Sequence, residues 1–255
     1  MIPADPLTWM VVFVRVGAMF AMLPIFSIPN LPLQVRIALG AMVAFLVAAT
    51  LPPIPLAGAS FASIVGLLLI EGSIGLLLGF IVRLLFFALD AAGNVIATEM
   101  GLMLASDFNP FNNARSEAPS MVLYLLGITM FLSLDLHQWL LMGLQRSYQL
   151  LPPGGAHLSD LLFSDILGRT SRIFVVAIQI AAPVMAVSFI ITLVFSVLGR
   201  AVPQMNVFAE SFAFRTLAGL GVFGLSLSLM AQHIVNYLRA LPEDVLRVAQ
   251  LLGGT

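Results

Sequence analysis

The sequence predicts an all-α, polytopic membrane protein. Composition is the first observation: 60% of the 255 residues are hydrophobic and 9% are charged. Soluble domains carry about 25% charged residues. The mean hydropathy of +1.07 is the second. The third is a pair of runs, residues 173–199 and 216–238, without a single Asp, Glu, Lys or Arg. Each is long enough for a helix to cross about 30 Å of hydrocarbon, and the chain has room for about six such hydrophobic helices. No segment is polar enough to stand apart, so residues 1–255 read as a single membrane domain.

The elements follow in order. Residues 7–28 form a first apolar segment, interrupted by Arg15 and closed by a turn containing Pro24, Pro29, Asn30 and Pro32. No Lys or Arg precedes Arg15, so the basic start of a cleavable leader is missing and the segment is expected to stay. A second segment, 33–51, stops at Pro52, Pro53 and Pro55. The third, 59–89, contains Glu71 and Arg83. Twelve residues of helix rise about 18 Å, so these two cannot pair within it and each needs a partner elsewhere. The small, polar patch 90–94 precedes a short apolar segment, 95–105, that carries Glu99. It is too short to span and reads as re-entrant or packed inside an assembly.

Residues 106–120, SDFNPFNNARSEAPS, are polar and turn-rich. The apolar segment 121–144 follows, interrupted by Asp135, His137 and Gln138, and then a Pro-Gly linker at 152–155. Residues 160–172 mix both charges and read as an interfacial helix. The spans 173–199 and 216–238 and a tail from Pro242 complete the chain.

The net charge is −1, and the eleven basic residues are scattered arginines with no lysine. Nucleic acid and anionic surfaces require clustered cations, so no nucleic-acid partner is expected. Loop arginines do not assign the two sides of the membrane. Absent cysteine removes disulfides, thiolate catalysis and thiolate metal sites. His137, His157 and His233 lie in no metal-binding spacing, and neither a nucleophile elbow nor a phosphate loop is present. No enzyme activity, metal or cofactor is expected.

Three features carry the functional reading. Arg15, Glu71, Arg83 and Glu99 are ionisable groups in apolar segments, where charge is paired or lines water. They read either as bonds to a neighbouring helix or subunit, or as an ion path in a small secondary transporter. In 106–120, the turn formers Asp107, Asn109, Pro110, Asn112 and Asn113 flank the rings of Phe108 and Phe111. The loop is either a stopper that excludes water from a pore or an exposed surface loop. The third feature is the turn 199–208, GRAVPQMNVF: Gly199 and Pro203 end a helix, while Gln204 and Asn206 present amides that lipid cannot satisfy. It reads as a protein contact, as a helix cap made by Asn206, or as both.

The PQMN turn, the run from Glu99 through the Asp107 loop and the FLSLDLHQW stretch at 131–139 together resemble the FliR/SctT family. Its members are integral components of the flagellar and injectisome type III export apparatus. The resemblance covers nearly the whole chain in length and segment order, and the PQMN turn is its most specific part. It implies a FliP-like part over about 1–170 and a FliQ-like helical hairpin with a C-terminal tail over about 171–255. It also implies helical assembly with FliP-like and FliQ-like subunits, a FlhB-like switch protein at the base, and transient unfolded export substrates.

The resemblance further implies a multi-pass place in the bacterial inner membrane, within the flagellar basal body, and passive formation and sealing of a protein-conducting channel. Asp107, Phe108, Asn109, Pro110, Phe111 and Asn112 fall at the family's plug, where many members have Asp followed directly by Pro. Arg200, Pro203, Gln204, Met205 and Asn206 fall at the turn facing the switch protein. Arg15, Glu71, Arg83 and Glu99 become groups for subunit contacts. The flagellar branch is preferred, with the injectisome equivalent as alternative and a small secondary transporter behind it.

Overall fold

A computed structural model describes residues 5–26, 32–55, 58, 60–102, 118–156, 159–204 and 206–254. Among the described residues the chain is helical and contains no strand. The helices are α1 (Pro6–Met22), α2 (Leu33–Ala48), α3 (Phe61–Glu99), α4 (Ala118–Ser133), α5 (Leu136–Leu150), α6 (Asp160–Ala201) and α7 (Val207–Gly253), with a 3-10 turn at Pro24–Phe26. Three of them, α3, α6 and α7, are long and apolar enough to cross a membrane, and α4 with α5 makes a fourth candidate bent by 68°. The fold is that of an all-α polytopic membrane protein.

Local chemistry sets several boundaries. Asp5 caps α1 by accepting the Thr8 N–H at 3.3 Å, and Pro6 occupies the first turn, where its missing N–H costs nothing. The break between α4 and α5 sits at Asp135, in the left-handed region at φ 54°. Asp is one of the few side chains that enters that region readily. In the 152–155 linker, Gly154 turns the chain at φ 80°.

Three expected breaks do not occur. The patch 90–94 stays helical inside α3, where Gly93 lets α4 come close: a Cβ there would lie 2.2 Å from Ser120 Cα. The glycine that reads as a breaker is instead a packing residue, and tertiary contact outweighs its low helix propensity. Residues 160–172 belong to α6, and the tail from Pro242 belongs to α7. Pro183 and Pro242 lie within these helices.

Two compact units result. The first combines Met1–Leu85, Phe131–Arg169 and Leu238–Thr255; the second combines Phe86–Met130 and Thr170–Tyr237. In the first, α1 crosses α3 over Gly72, Gly75 and Gly79. A Cβ at Gly75 would stand 2.1 Å from the Arg15 carbonyl oxygen, and one at Gly79 2.7 Å from that of Met19. Small residues at this spacing let two backbones approach, as in membrane helix pairs generally. Trp9 donates to the Ala41 carbonyl at 3.2 Å, joining α1 to α2.

In the second unit, the end of α3 is held by side chains of α6 and α7. Ser188 donates to the Glu99 carbonyl at 3.2 Å and Thr216 to the Met100 carbonyl at 2.8 Å. The last carbonyls of a helix lack the N–H of a further turn, and a buried helix end requires other donors. Gly219 meets Met100, whose Cγ would lie 2.6 Å from an added Cβ.

Candidate functional site

Arg15 is fully buried at 0% exposure, and so is Glu71. The two meet as a bidentate pair: Arg15 Nε lies 2.6 Å from Glu71 Oε2 and Nη2 lies 3.0 Å from Oε1. Arg15 Nη1 also donates to Ser147 Oγ at 3.2 Å, and both terminal nitrogens reach the Leu151 carbonyl at 3.4 Å. The Gly154 N–H donates to Glu71 Oε1 at 3.1 Å. The Tyr148 ring lies 3.9 Å below the guanidinium carbon. A buried ion pair is tolerated only when its remaining donors and acceptors are filled, and here α5 and the turn after it fill them.

The close α1/α3 crossing makes this geometry reachable, because Gly75 stands one turn after Glu71 and lets α1 come near. Glu71 therefore finds its partner outside its own helix, on α1. Arg83 and Glu99 are not brought to this pair. Both are half-buried on α3, Arg83 in the first unit and Glu99 in the second.

The α6–α7 turn is built for exposure. Arg200, Pro203, Gln204 and Asn206 are all exposed. Asn206 caps α7, its side-chain oxygen accepting the Ala209 N–H at 3.3 Å. An added Cβ on Gly199 would lie 2.6 Å from Val207 Cγ2, so the glycine allows the two helices to close up at the turn. The residues expected to form a plug, Asp107, Phe108, Asn109, Pro110, Phe111 and Asn112, together with Met205 and His157, lie outside the described residues.

Sequence reading missed the groups surrounding Arg15. Tyr148, Ser147 and the Leu151 carbonyl are 132 or more residues away in sequence, and nothing local marks them. It also missed the charge chain of Asp165, Arg169, Asp244 and Arg247, whose members look like ordinary solvated residues when read one by one.

The family model of bacterial export proteins, family 1, matches residues 7–241. The chain is 32% identical over 209 residues to the flagellar biosynthetic protein FliR of Buchnera aphidicola subsp. Schizaphis graminum, covering 81% of this chain and 80% of that protein. It is 30% identical to the FliR of Pectobacterium carotovorum, covering 92% of this chain and 90% of the relative. With the FliR of Escherichia coli K12 it shares 26% over 93% and 92% of the two chains. A family-model match over residues 7–241, with relatives at 30% identity or more over most of both chains, makes the assignment: the chain belongs to the bacterial export proteins, family 1.

Proposed function

We infer that the chain is a structural subunit of the flagellar type III export gate, where it helps to form and seal the channel for unfolded proteins in the bacterial inner membrane. The observation that carries this reading is the end-to-end similarity to proteins named flagellar biosynthetic protein FliR. That shared name supports the flagellar branch over the injectisome. The role is passive and non-enzymatic; the energy comes from other components of the apparatus.

In this reading residues 1–170 form the FliP-like part and 171–255 the FliQ-like hairpin with its C-terminal segment. FliP-like and FliQ-like subunits flank the chain, with lipid around the assembly. The residues Asp107, Phe108, Asn109, Pro110, Phe111 and Asn112 form the plug. The FlhB-like switch protein binds the turn carrying Arg200, Pro203, Gln204, Met205 and Asn206. Exposed amides and a guanidinium suit a protein contact, since they need hydrogen-bond partners that hydrocarbon lacks. Arg83 and Glu99 reach neighbouring subunits directly. Arg15 and Glu71 serve the same contacts indirectly, by fixing the α1/α3 crossing.

Affinity purification of the tagged full-length chain from membranes tests the reading. The expected result is a complex containing FliP-like and FliQ-like proteins in fixed proportion. A chain that purifies alone and carries solutes in liposomes would contradict it.

A further inference from the structure

The last helix does not finish as a free tail. Beyond Tyr237, Leu238, Leu241, Val245, Val248, Ala249 and Leu252 are each at most 2% exposed, while Glu243, Arg247 and Gln250 face outward. The buried positions recur at three- and four-residue steps, as a helix laying one face on a core requires. That core is α5 with the end of α4. An added Cβ on Gly143 would lie 3.7 Å from Val245 Cγ1, and Phe131 and Leu140 with Leu241 and Pro242 leave only about 20 Å³ of space between them.

Charges fasten the same segment to α6. Arg169, 8% exposed, holds Asp165 one turn earlier at 2.5 Å through Nε and reaches Asp244 of α7 through Nη1. The other oxygen of Asp165 meets Arg247 Nε at 3.2 Å. The result is an alternating chain, Asp244, Arg169, Asp165, Arg247, with both ends on α7 and its middle on α6. Its members differ in weight: the Arg169 side chain is 9% exposed and that of Arg247 is 68% exposed. Exposed pairs contribute little, whereas a shielded pair leaves an uncompensated charge when broken.

We propose that residues 241–253 are an intramolecular strap that closes the first compact unit, with the Arg169–Asp244 ion pair as its catch. This unit is assembled from three separate pieces of chain, and Leu238–Thr255 is the last of them to be synthesised. Until it arrives, the face of α5 around Leu140 and Gly143 lacks its cover. An apolar stripe alone tolerates sliding by a turn; the alternating charges admit one register. Closure of the unit therefore waits for this third piece.

The chain has no cysteine, so an introduced thiol is unique. Ala249→Cys, at a position 1% exposed, reports on the strap in the full-length protein in detergent micelles, read by its labelling rate with a water-soluble maleimide. Labelling is expected to be slow in the parent, to rise at least about tenfold with Arg169→Ala or Asp244→Ala, and to stay within about twofold with Arg247→Ala. A second reporter, Ala97→Cys in the other unit, at 0% exposure, is expected to remain protected throughout. Fast labelling at 249 in the parent, or an unchanged rate in both Arg169→Ala and Asp244→Ala, would overturn the strap. So would simultaneous opening at 97, since the variants would then unfold as a whole.

Discussion

Loss of the Arg15 guanidinium would leave the Glu71 carboxylate buried with one remaining donor among the described residues, the Gly154 N–H. Removing one partner of a buried pair costs about 3–5 kcal/mol, whereas replacing both with apolar groups of similar volume is often close to neutral. Arg15→Met should therefore lower stability by about that amount, and Arg15→Met with Glu71→Met should recover most of it. Detergent-phase thermal unfolding followed by Trp9 and Trp139 fluorescence measures both; losses that simply add would contradict a coupled pair. Tyr148 makes a finer test. Its ring supports the guanidinium, while its hydroxyl has no hydrogen-bond partner among the described residues. Tyr148→Phe should stay within about 0.5 kcal/mol of the parent, and Tyr148→Leu should lose the cation–π contact and fall by about 1–2 kcal/mol. The need for a partner was legible in the sequence, because charge inside an apolar run is expensive. The partner's identity was not, because the contact depends on how α1, α3 and α5 pack.

At the scale of elements, glycine decides how closely the helices approach. Gly72 and Gly75 lie on the same stretch of α3, yet an added Cβ would meet Val14 Cγ1 at 3.5 Å from the first and the Arg15 carbonyl at 2.1 Å from the second. Backbone cannot step aside as a side-chain tip can. Gly75→Ala should therefore cost about 1–3 kcal/mol through displacement of α1, while Gly72→Ala should stay within about 0.5 kcal/mol because the helix gains what the packing loses. Equal losses in the same unfolding measurement would contradict the close crossing. Composition exposed the apolar segments and their approximate ends, and the proline clusters after Leu51 and Leu151 marked real terminations. Gly93 and Pro242 misled for a shared physical reason: each is a breaker by intrinsic propensity, and each sits where packing keeps the helix going. The α4–α5 break was legible as a polar interruption at Asp135, but its left-handed backbone was not.

For the whole molecule, the export-gate reading separates two regions with different duties. The proposal gives the exposed α6–α7 turn to a partner, so charge reversal at Arg200 should weaken recovery of the switch protein without loss of the chain itself. Unaltered co-purification would remove that interface. The seal is assigned to the Phe108 and Phe111 region, and shortening residues 108–119 should make cells with assembled gates leak ions, as read by membrane-potential dyes; unchanged permeability would exclude a stopper there. Arg15 and Glu71 fix the α1/α3 crossing within the first unit, and the proposal is that subunit contacts depend on it. The central claim, membership of a working flagellar export gate, is tested most directly by deleting the gene in its own host and measuring flagellar subunits released to the medium. The account predicts that release and motility are both lost and that the full-length chain restores them. Normal release in the deletion strain would contradict it.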